Sequence, residues 1–391
     1  AILRANNQQI PIVLGSATPS LETLNNINEQ RYTVHHLKHR ANKKPLPAIN
    51  LVNLCNQKLQ EGMADTLLAR IKQHLDLKGQ VLLFINRRGF APLLMCHDCG
   101  WTTNCQRCDA HMTYHKRRNQ LHCHHCGSQR PAPDTCADCG SSDVIAIGAG
   151  TERIEHYLQS AFPDTHVSRI DRDTTRNKGS LEAKLNQARS GESGILVGTQ
   201  MLAKGHDFPN ITLVCILDTD QALFSADFRA TEHLAQLITQ VSGRAGRAEK
   251  AGEVLIQTHH PEHPLLQTLL HHGYSAFAEA ALQERKAAGL PPSRRLALLR
   301  CESVSLDAAQ KFLEQAMALA HEIDIPDLDI FGPLAAPMER RAGRYRHQIM
   351  LQSAERKPLL RFLSWWAPQL QQLVSARKVR WSLDVDPYDT F

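Results

Sequence analysis

The chain has 391 residues, with 45 Lys and Arg against 39 Asp and Glu and a formal net charge of +6. That length suffices for two or three domains, and so small a surplus excludes a uniformly basic nucleic-acid coat, leaving only local patches as polyanion sites. No apolar run approaches membrane-spanning length and no signal peptide opens the sequence, so a reducing cytoplasm is expected for its 11 cysteines. The sequence also opens without Met, in mid-pattern at AILRANNQQIPIVLGSATPS, as a piece of a longer protein would.

Residues 10–14 (IPIVL) read as a buried strand feeding the run GSATPS at 15–20. A short helix is expected over 20–28, and a polar, Pro-punctuated linker over 40–47. The apolar spacing over 64–77 is helical, and from there short apolar strands alternate with amphipathic helices. The strands are expected at 81–86, 143–147, 166–171, 194–198, 211–218 and 252–258, with helices at 151–161, 181–189 and 227–241. Strands apolar on both faces, alternating with helices, imply an α/β domain with a parallel doubly wound sheet.

After the first of these strands come eight cysteines in four Cys-x-x-Cys pairs: Cys96/Cys99, Cys105/Cys108, Cys123/Cys126 and Cys136/Cys139. Each pair points two sulfurs at one metal, so four pairs make two closed four-thiolate sites, structural Zn²⁺ in this setting. Disulfides do not suit a chain with no sign of secretion, and four redox dithiols in one segment have no use. Fourteen residues separate Cys108 from Cys123, close to zinc-ribbon spacing, whereas only five separate Cys99 from Cys105. The inner pairs therefore share one ion and the outer pairs the other, in preference to an interleaved arrangement. Gly100, Gly127 and Gly140 each follow a knuckle's second cysteine. His97, His111, His115, His122, His124 and His125 crowd the same stretch, but with eight thiolates sufficient they read as solvated. Two zinc ions on eight thiolates would bring the net charge to about +2, which makes the nucleic-acid case still more local.

Beyond 261 the period changes. A helix-rich connector over 265–288 ends at 289–292. The remainder reads strand 296–304, helix 306–321, strands 328–331 and 345–352, helix 357–373 and strand 379–384, a βαββαβ α+β domain. The implied division is 1–47, 48–95, a metal-binding insertion at 96–140, 141–260, a connector at 261–292, and a final domain at 293–391.

Two loops of the α/β domain carry chemistry. The first, 198–208 (GTQMLAKGHDF), follows a strand directly, at the carboxyl edge where such sheets bind ligands. The second, 240–247 (QVSGRAGR), places two arginines three apart, suited to the charge of a phosphoryl group in transfer. In the final domain, Arg340, Arg341, Arg344 and Arg346, then Arg356, Lys357 and Arg361, face only Glu339 and Glu355 in opposition. Tyr345, Trp365 and Trp366 add flat surfaces for unpaired bases, although one Trp is expected to pack beneath its helix. Arg340, Arg341 and Arg344 are the expected DNA contacts.

GSATPS resembles motif III of superfamily 2 helicases, residues 198–208 resemble motif V, and 240–247 resemble motif VI. The four knuckles, the run GAGTERIE followed by RIDRDTT, and DFRATEHLAQLITQVSGRAGRA narrow the resemblance to the PriA family of bacterial replication-restart helicases (primosomal protein N-prime). It extends through FGPLAAPMERRAGRYRHQIMLQS to VRWSLDVDP, essentially the whole chain. It implies the end of a first helicase lobe, a RecA-like second lobe bearing the zinc insertion with the same nested pairing, and a DNA-gripping final domain. It also implies roles. Gly205 and Asp207 would contact the nucleotide ribose or couple ATP to DNA, Arg244 and Arg247 would be arginine fingers with Gln240 supporting them, Thr18 would link hydrolysis to DNA movement, and Thr199 would touch the DNA backbone.

The implied activity is ATP-dependent 3′-to-5′ DNA unwinding at stalled forks, by a monomer using ATP with Mg²⁺ and two Zn²⁺ in the bacterial cytoplasm, at the nucleoid. Implied partners are branched or forked DNA, single-stranded DNA, single-stranded DNA-binding protein and other primosome proteins. The departure matters as much: the chain has no GxxxxGK[ST] phosphate loop, and Asp218 and Asp220 do not match an acidic Walker B motif. Half an ATP site is expected, inactive alone. The competing reading is a non-catalytic zinc-ribbon module for DNA binding or primosome assembly.

Overall fold

The computed structural model describes residues 1–37, 47–55, 57–85, 93–96, 98–99, 101–107, 112–115, 119–123, 128–147, 151–171, 174, 179–198, 208–225, 227–245, 252–323 and 325–388. In chain order come α1 (Ile2–Asn7), α2 (Leu21–Asn28), β1 (Ala48–Asn53), β2 (Leu59–Gln60), β3 (Met63–Ala64), α3 (Asp65–Asp76) and β4 (Gln80–Ile85). A cysteine-rich module follows, with β5 (Leu93–Cys96), β6 (Thr113–His115), β7 (Gln120–His122), β8 (Gln129–Pro131) and β9 (Val144–Ile147). The chain then forms α4 (Thr151–Ala161), β10 (Val167–Ile170), α5 (Ser180–Ser190), β11 (Ile195–Gly198) and β12 (Ile211–Leu217). Next are α6 (Asp220–Leu223), α7 (Ala230–Ser242), β13 (Glu253–Thr258) and α8 (Pro264–Ala287). Last come β14 (Arg295–Ser303), α9 (Leu306–Ala320), β15 (Leu328–Arg341), β16 (Arg344–Ser353), α10 (Arg356–Gln372) and β17 (Arg380–Val385).

The main sheet has the order β1-β13-β12-β4-β11-β10, with every neighbouring pair parallel. Its central strands are apolar on both faces because both faces are covered. Val81, Leu83 and Ile85 of β4 point into a core with Leu67 and Ile71 of α3 and Ile154 and Leu158 of α4. Leu82 and Phe84 point the other way, against Leu234 and Ile238 of α7 and Phe277 of α8. Leu21, at the start of α2, is buried in that second core. The final domain is an antiparallel sheet, β15-β16-β14-β17, covered by α9 and α10 around Phe312, Phe362 and Trp366. No helix among the described residues is long and apolar enough to cross a membrane.

Four expectations change. The apolar run 10–14 is not a strand: it pairs with neither sheet edge, and Val13 is 94% exposed, because an isolated strand cannot satisfy its backbone without a ladder. The strand at 143–147 does not join the main sheet. It becomes β9, pairing antiparallel with β5 as the stem of the cysteine module. The sheet instead gains β1 as an edge, its Ile49 and Leu51 alternating with more polar neighbours, so the module is inserted after the second sheet strand. The strand expected at 328–331 runs on to Arg341, since register shifts let GPLAAP continue the ladder as bulges. The helix-rich connector expected over 265–288 is α8, with a break at Gly273, whose φ of 78° a glycine accommodates. Most of the linker expected over 40–47 lies outside the described residues.

Candidate functional site

α7 is amphipathic, with Leu234, Ala235, Leu237, Ile238 and Val241 buried, and its last turn presents Gln240 to the GSATPS segment, with half-buried Arg244 in the turn that follows. Gln240 Nε2 donates to Thr18 Oγ1 at 3.0 Å across 222 residues of sequence. Thr18 is buried, and its N–H donates to Ser16 Oγ at 3.0 Å, fixing the turn of that segment. Arg244 sits in a tight turn after α7, its N–H donating to Val241 O at 2.9 Å, while Ala245 anchors the turn in the core. The structure therefore brings Thr18 and Gln240 together, and Arg244 follows Gln240 by four residues in the turn after α7. Thr199, Gly205, Asp207 and Arg247 lie outside the described residues.

Behind this contact stands a network that inspection of the sequence missed. Glu232 of α7 is 2% exposed and Arg285 of α8 is 4% exposed, so neither charge is affordable without the other. Arg285 Nη2 donates to Glu232 Oε2 at 2.7 Å and to Phe228 O at 3.1 Å. Glu232 Oε1 accepts the Leu21 N–H at 3.0 Å and Gln236 Nε2 at 3.1 Å, tying α2 to α7. Tyr274 donates its hydroxyl to Pro19 O at 2.7 Å. Arg229 donates to Glu22 at 2.8 Å and to Pro387 O at 3.1 Å. Burial raises the Glu22 carboxyl, but its own backbone N–H, Arg229 and Arg285 outweigh this and hold it below the ordinary glutamate value. These bonds fix the segment carrying Thr18 onto the helix carrying Gln240. A signal did exist: Glu232 lies one turn before Ala235 on the buried face of an otherwise apolar helix.

At the carboxyl edge of the sheet, Asp218 follows β12 with a φ of 56°. Asp220 accepts from Thr258 and, at 3.0 Å, from the His259 N–H, so its carboxylate closes the β12–β13 edge. The runs GAGTERIE and RIDRDTT also meet: Arg169 Nε pairs with Glu155 at 3.2 Å, and Thr151 Oγ1 donates to Asp171 at 2.9 Å.

In the cysteine module, the sulfurs of Cys96, Cys99, Cys136 and Cys139 all lie within 4.8 Å of one another. Cys96 and Cys139 are 3.6 Å apart, and Cys99 and Cys136 3.5 Å. Zn–S bonds of 2.3 Å at tetrahedral angles require sulfur separations of about 3.8 Å, so the set fits one Zn²⁺. The thiols are also poised for a cation. Desolvation raises Cys136, but the N–H groups of Cys139 and Asp138 and the Cys99 thiol outweigh it and lower Cys136 to about 7. For Cys99 the Trp101 backbone acts downward, yet desolvation and the neighbouring Cys136, Cys139 and Cys96 thiols push it up to about 12. Four sulfurs this close cannot all lose their protons unless a metal neutralises them.

The knuckles share a closure. The N–H groups of Cys96, Cys123 and Cys136 donate to Trp101 O at 2.7 Å, Ser128 O at 2.8 Å and Ser141 O at 2.7 Å, each five residues on. Gly140, with a φ of 74°, makes the turn after Cys139. Of the inner pairs, Cys105 and Cys123 are buried together with Leu94, Met112 and Leu121, and Cys105 Sγ accepts the Arg107 N–H at 3.4 Å. Cys108 and Cys126, like His97, His111, His124 and His125, lie outside the described residues.

The basic stretch of the final domain is a hairpin tip. Arg341 and Arg344 stand opposite each other across a two-residue turn, and the Arg340 guanidinium lies over the Tyr345 ring at 5.6 Å. Arg340 and Arg341 are exposed. Arg346 is not part of that surface: it is 8% exposed and pairs with Glu302 at 3.2 Å. Trp366 offers no open stacking face, and Trp365 is half-buried. Trp366 is buried, donating to Ala316 O at 3.1 Å, and Trp365 packs against the same core, because the apolar face of α10 needs both rings.

A parallel lobe interrupted by a thiolate module defines the class, and comparison with known proteins agrees. Residues 139–249 match the helicase conserved C-terminal domain, 105–131 the PriA DNA helicase Cys-rich region, and 286–388 the primosomal protein N C-terminal domain. The replication restart protein PriA of Haemophilus influenzae is 48% identical over 389 residues, covering 100% of this chain and 53% of that protein. That of Bacillus subtilis is 38% identical over 395 residues, covering 99% of this chain and 49% of that protein. The chain belongs to the PriA family, and it spans about half the length of the curated relatives it matches. A solved structure of S. cerevisiae Dbp5 bound to RNA and ADP BeF3 covers 70% of this chain and 51% of its own, at 14% identity and a TM-score of 0.35, too distant to bear on the fold.

Proposed function

We propose that the chain supplies the second lobe of an ATP-dependent 3′-to-5′ DNA helicase that recognises stalled or branched forks and initiates replication restart. The observation that carries this is the Gln240–Thr18 hydrogen bond, which joins the GSATPS segment to the arginine-bearing turn after α7. In this reading Arg244 and Arg247 meet the γ-phosphate of ATP with Mg²⁺, Gln240 holds their turn, and Gly205 and Asp207 face the nucleotide. The phosphate-loop lobe lies outside these residues, so the chain alone is inactive. Thr18 and Thr199 pass hydrolysis on to bound DNA. Two Zn²⁺ hold the knuckles: Cys96, Cys99, Cys136 and Cys139 bind one, and Cys105, Cys108, Cys123 and Cys126 the other. Arg340, Arg341 and Arg344 grip forked or single-stranded DNA. Single-stranded DNA-binding protein and other primosome proteins are the expected partners of a monomer working in the bacterial cytoplasm.

The test is DNA-stimulated ATP turnover by the chain alone and by the chain joined to a phosphate-loop lobe of its family. The chain alone should give none. In the joined protein, Arg244→Ala and Arg247→Ala should each lower turnover by roughly 10³-fold, with nucleotide binding less affected. Hydrolysis by the chain alone would overturn this reading and favour a different site.

A further inference from the structure

The hairpin tip and the inner knuckle touch, and the contact is unusual for both partners. Gly343 N–H donates to Arg107 O at 2.5 Å, and Arg107 Nη2 donates to Ala342 O at 3.2 Å, joining residues 235 apart in sequence. Arg107 is itself held from behind, because its own N–H donates to Cys105 Sγ. The turn it grips is a poor hairpin by itself. Ala342 and Gly343 have φ of 53° and 76°, so a side-chain-bearing residue occupies a left-handed position that favours Gly, Asn or Asp. Arg341 and Arg344 face each other directly, a cross-strand pair of like charges.

We infer that Arg107 latches the cysteine-rich module to the Arg340–Arg344 hairpin, so that knuckle and hairpin form one surface for a nucleic-acid backbone. The inference rests on the hairpin being a DNA contact. Arg107 is here a positioning residue: it sets where Arg341 and Arg344 stand relative to the module. Phosphates bridging the two elements would draw on both at once, and neither would bind as well if free to move.

Forked DNA is titrated against salt with the whole chain in four forms: unaltered, Arg107→Ala, Arg340→Ala/Arg341→Ala/Arg344→Ala, and all four changes together. Amide exchange at Gly343 is followed in the first two, with zinc content as the control for folding of the module. Arg107→Ala keeps the carbonyl that accepts the Gly343 N–H but removes the bond to Ala342 O, so the tip should open more often, speeding Gly343 exchange, and fork binding should weaken at unchanged zinc content. The triple variant should flatten the log–log salt slope by roughly 0.7 to 0.9 per lost phosphate contact. The quadruple variant should bind little worse than the triple, since a latch has no effect once its arginines are gone. Losses that multiply would make Arg107 an independent contact and overturn the latch, as would unchanged exchange at Gly343. An unchanged salt slope in the triple variant would instead remove the hairpin from the DNA site.

Discussion

The cysteine module and the final domain are both built on small antiparallel sheets, yet they are held together by different means. The final domain buries Phe312, Phe362 and Trp366 with a continuous shell of Leu, Ile and Ala between sheet and helices. Among the described residues the core of the module is Leu94, Cys105, Met112, Leu121 and Cys123, two of them cysteines, with Tyr114, Ala132 and Val144 packed against it. So little apolar area cannot offset the conformational entropy of ordering its short strands. Thiolate–metal bonds have to supply the difference, which is why four sulfurs converge where a larger domain would place side chains of its core.

Metal removal should separate the two regions most strongly. Structural zinc contributes on the order of 10–16 kcal/mol in small thiolate domains, so chelation should unfold the module while the final domain keeps its own transition, observable by amide exchange. Mass spectrometry under native conditions should find two zinc ions, and one after Cys139→Ser; two ions retained in that variant would refute the outer site. Conversely, Trp366→Ala should cost about 3–5 kcal/mol in the final domain with zinc content unchanged, as read from denaturant unfolding. The lobe between them depends on a buried ion pair, and Arg285→Ala should cost it about 3–5 kcal/mol by stranding Glu232.

A weaker distinction is acid sensitivity. Asp220 and Glu253 are both raised by burial but held below their ordinary values overall, Asp220 chiefly by Thr258 and His259, and Glu253 by His74 and Arg70. A carboxyl lowered by folding contributes stability that is fully present above its unfolded value and is lost as pH falls through the lowered one. The lobe should therefore lose stability on acidification from the ordinary carboxylate range downward. Asp220→Asn and Glu253→Gln should each flatten that slope in pH-dependent unfolding, leaving the final domain unaffected.

What the sequence disclosed follows the range of the interactions. Apart from the length of β15, the final domain could be read element by element, since strand and helix periods there are local. So could the central parallel strands, which are apolar runs between helices, whereas the run at 143–147 gave no sign that its partner is β5. The outer knuckles, Cys96/Cys99 with Cys136/Cys139, were legible from spacing alone. The run IPIVL was misread because an apolar strand-like segment carries no mark of whether a ladder partner stands beside it. β1 was passed over because an edge strand such as AINLVN is only half apolar. Glu232 with Arg285, and Arg107 with Ala342 and Gly343, join residues 53 and 235 apart, and no spacing rule connects them. The pairing of Thr18 with Gln240 lies between these cases: a family resemblance named both residues, but only the fold puts one against the other.

That pairing is the centre of the account, and a double-mutant cycle tests it directly. Thr18→Ala, Gln240→Ala and the double variant would be made in the protein joined to a phosphate-loop lobe, and ATP turnover measured with and without single-stranded DNA. If the hydrogen bond carries the coupling between hydrolysis and DNA, each single change should lower DNA stimulation. The double change should then do no more than the stronger single one, a coupling energy of about 0.5–3 kcal/mol. Additive effects, or full DNA stimulation in either single variant, would contradict it.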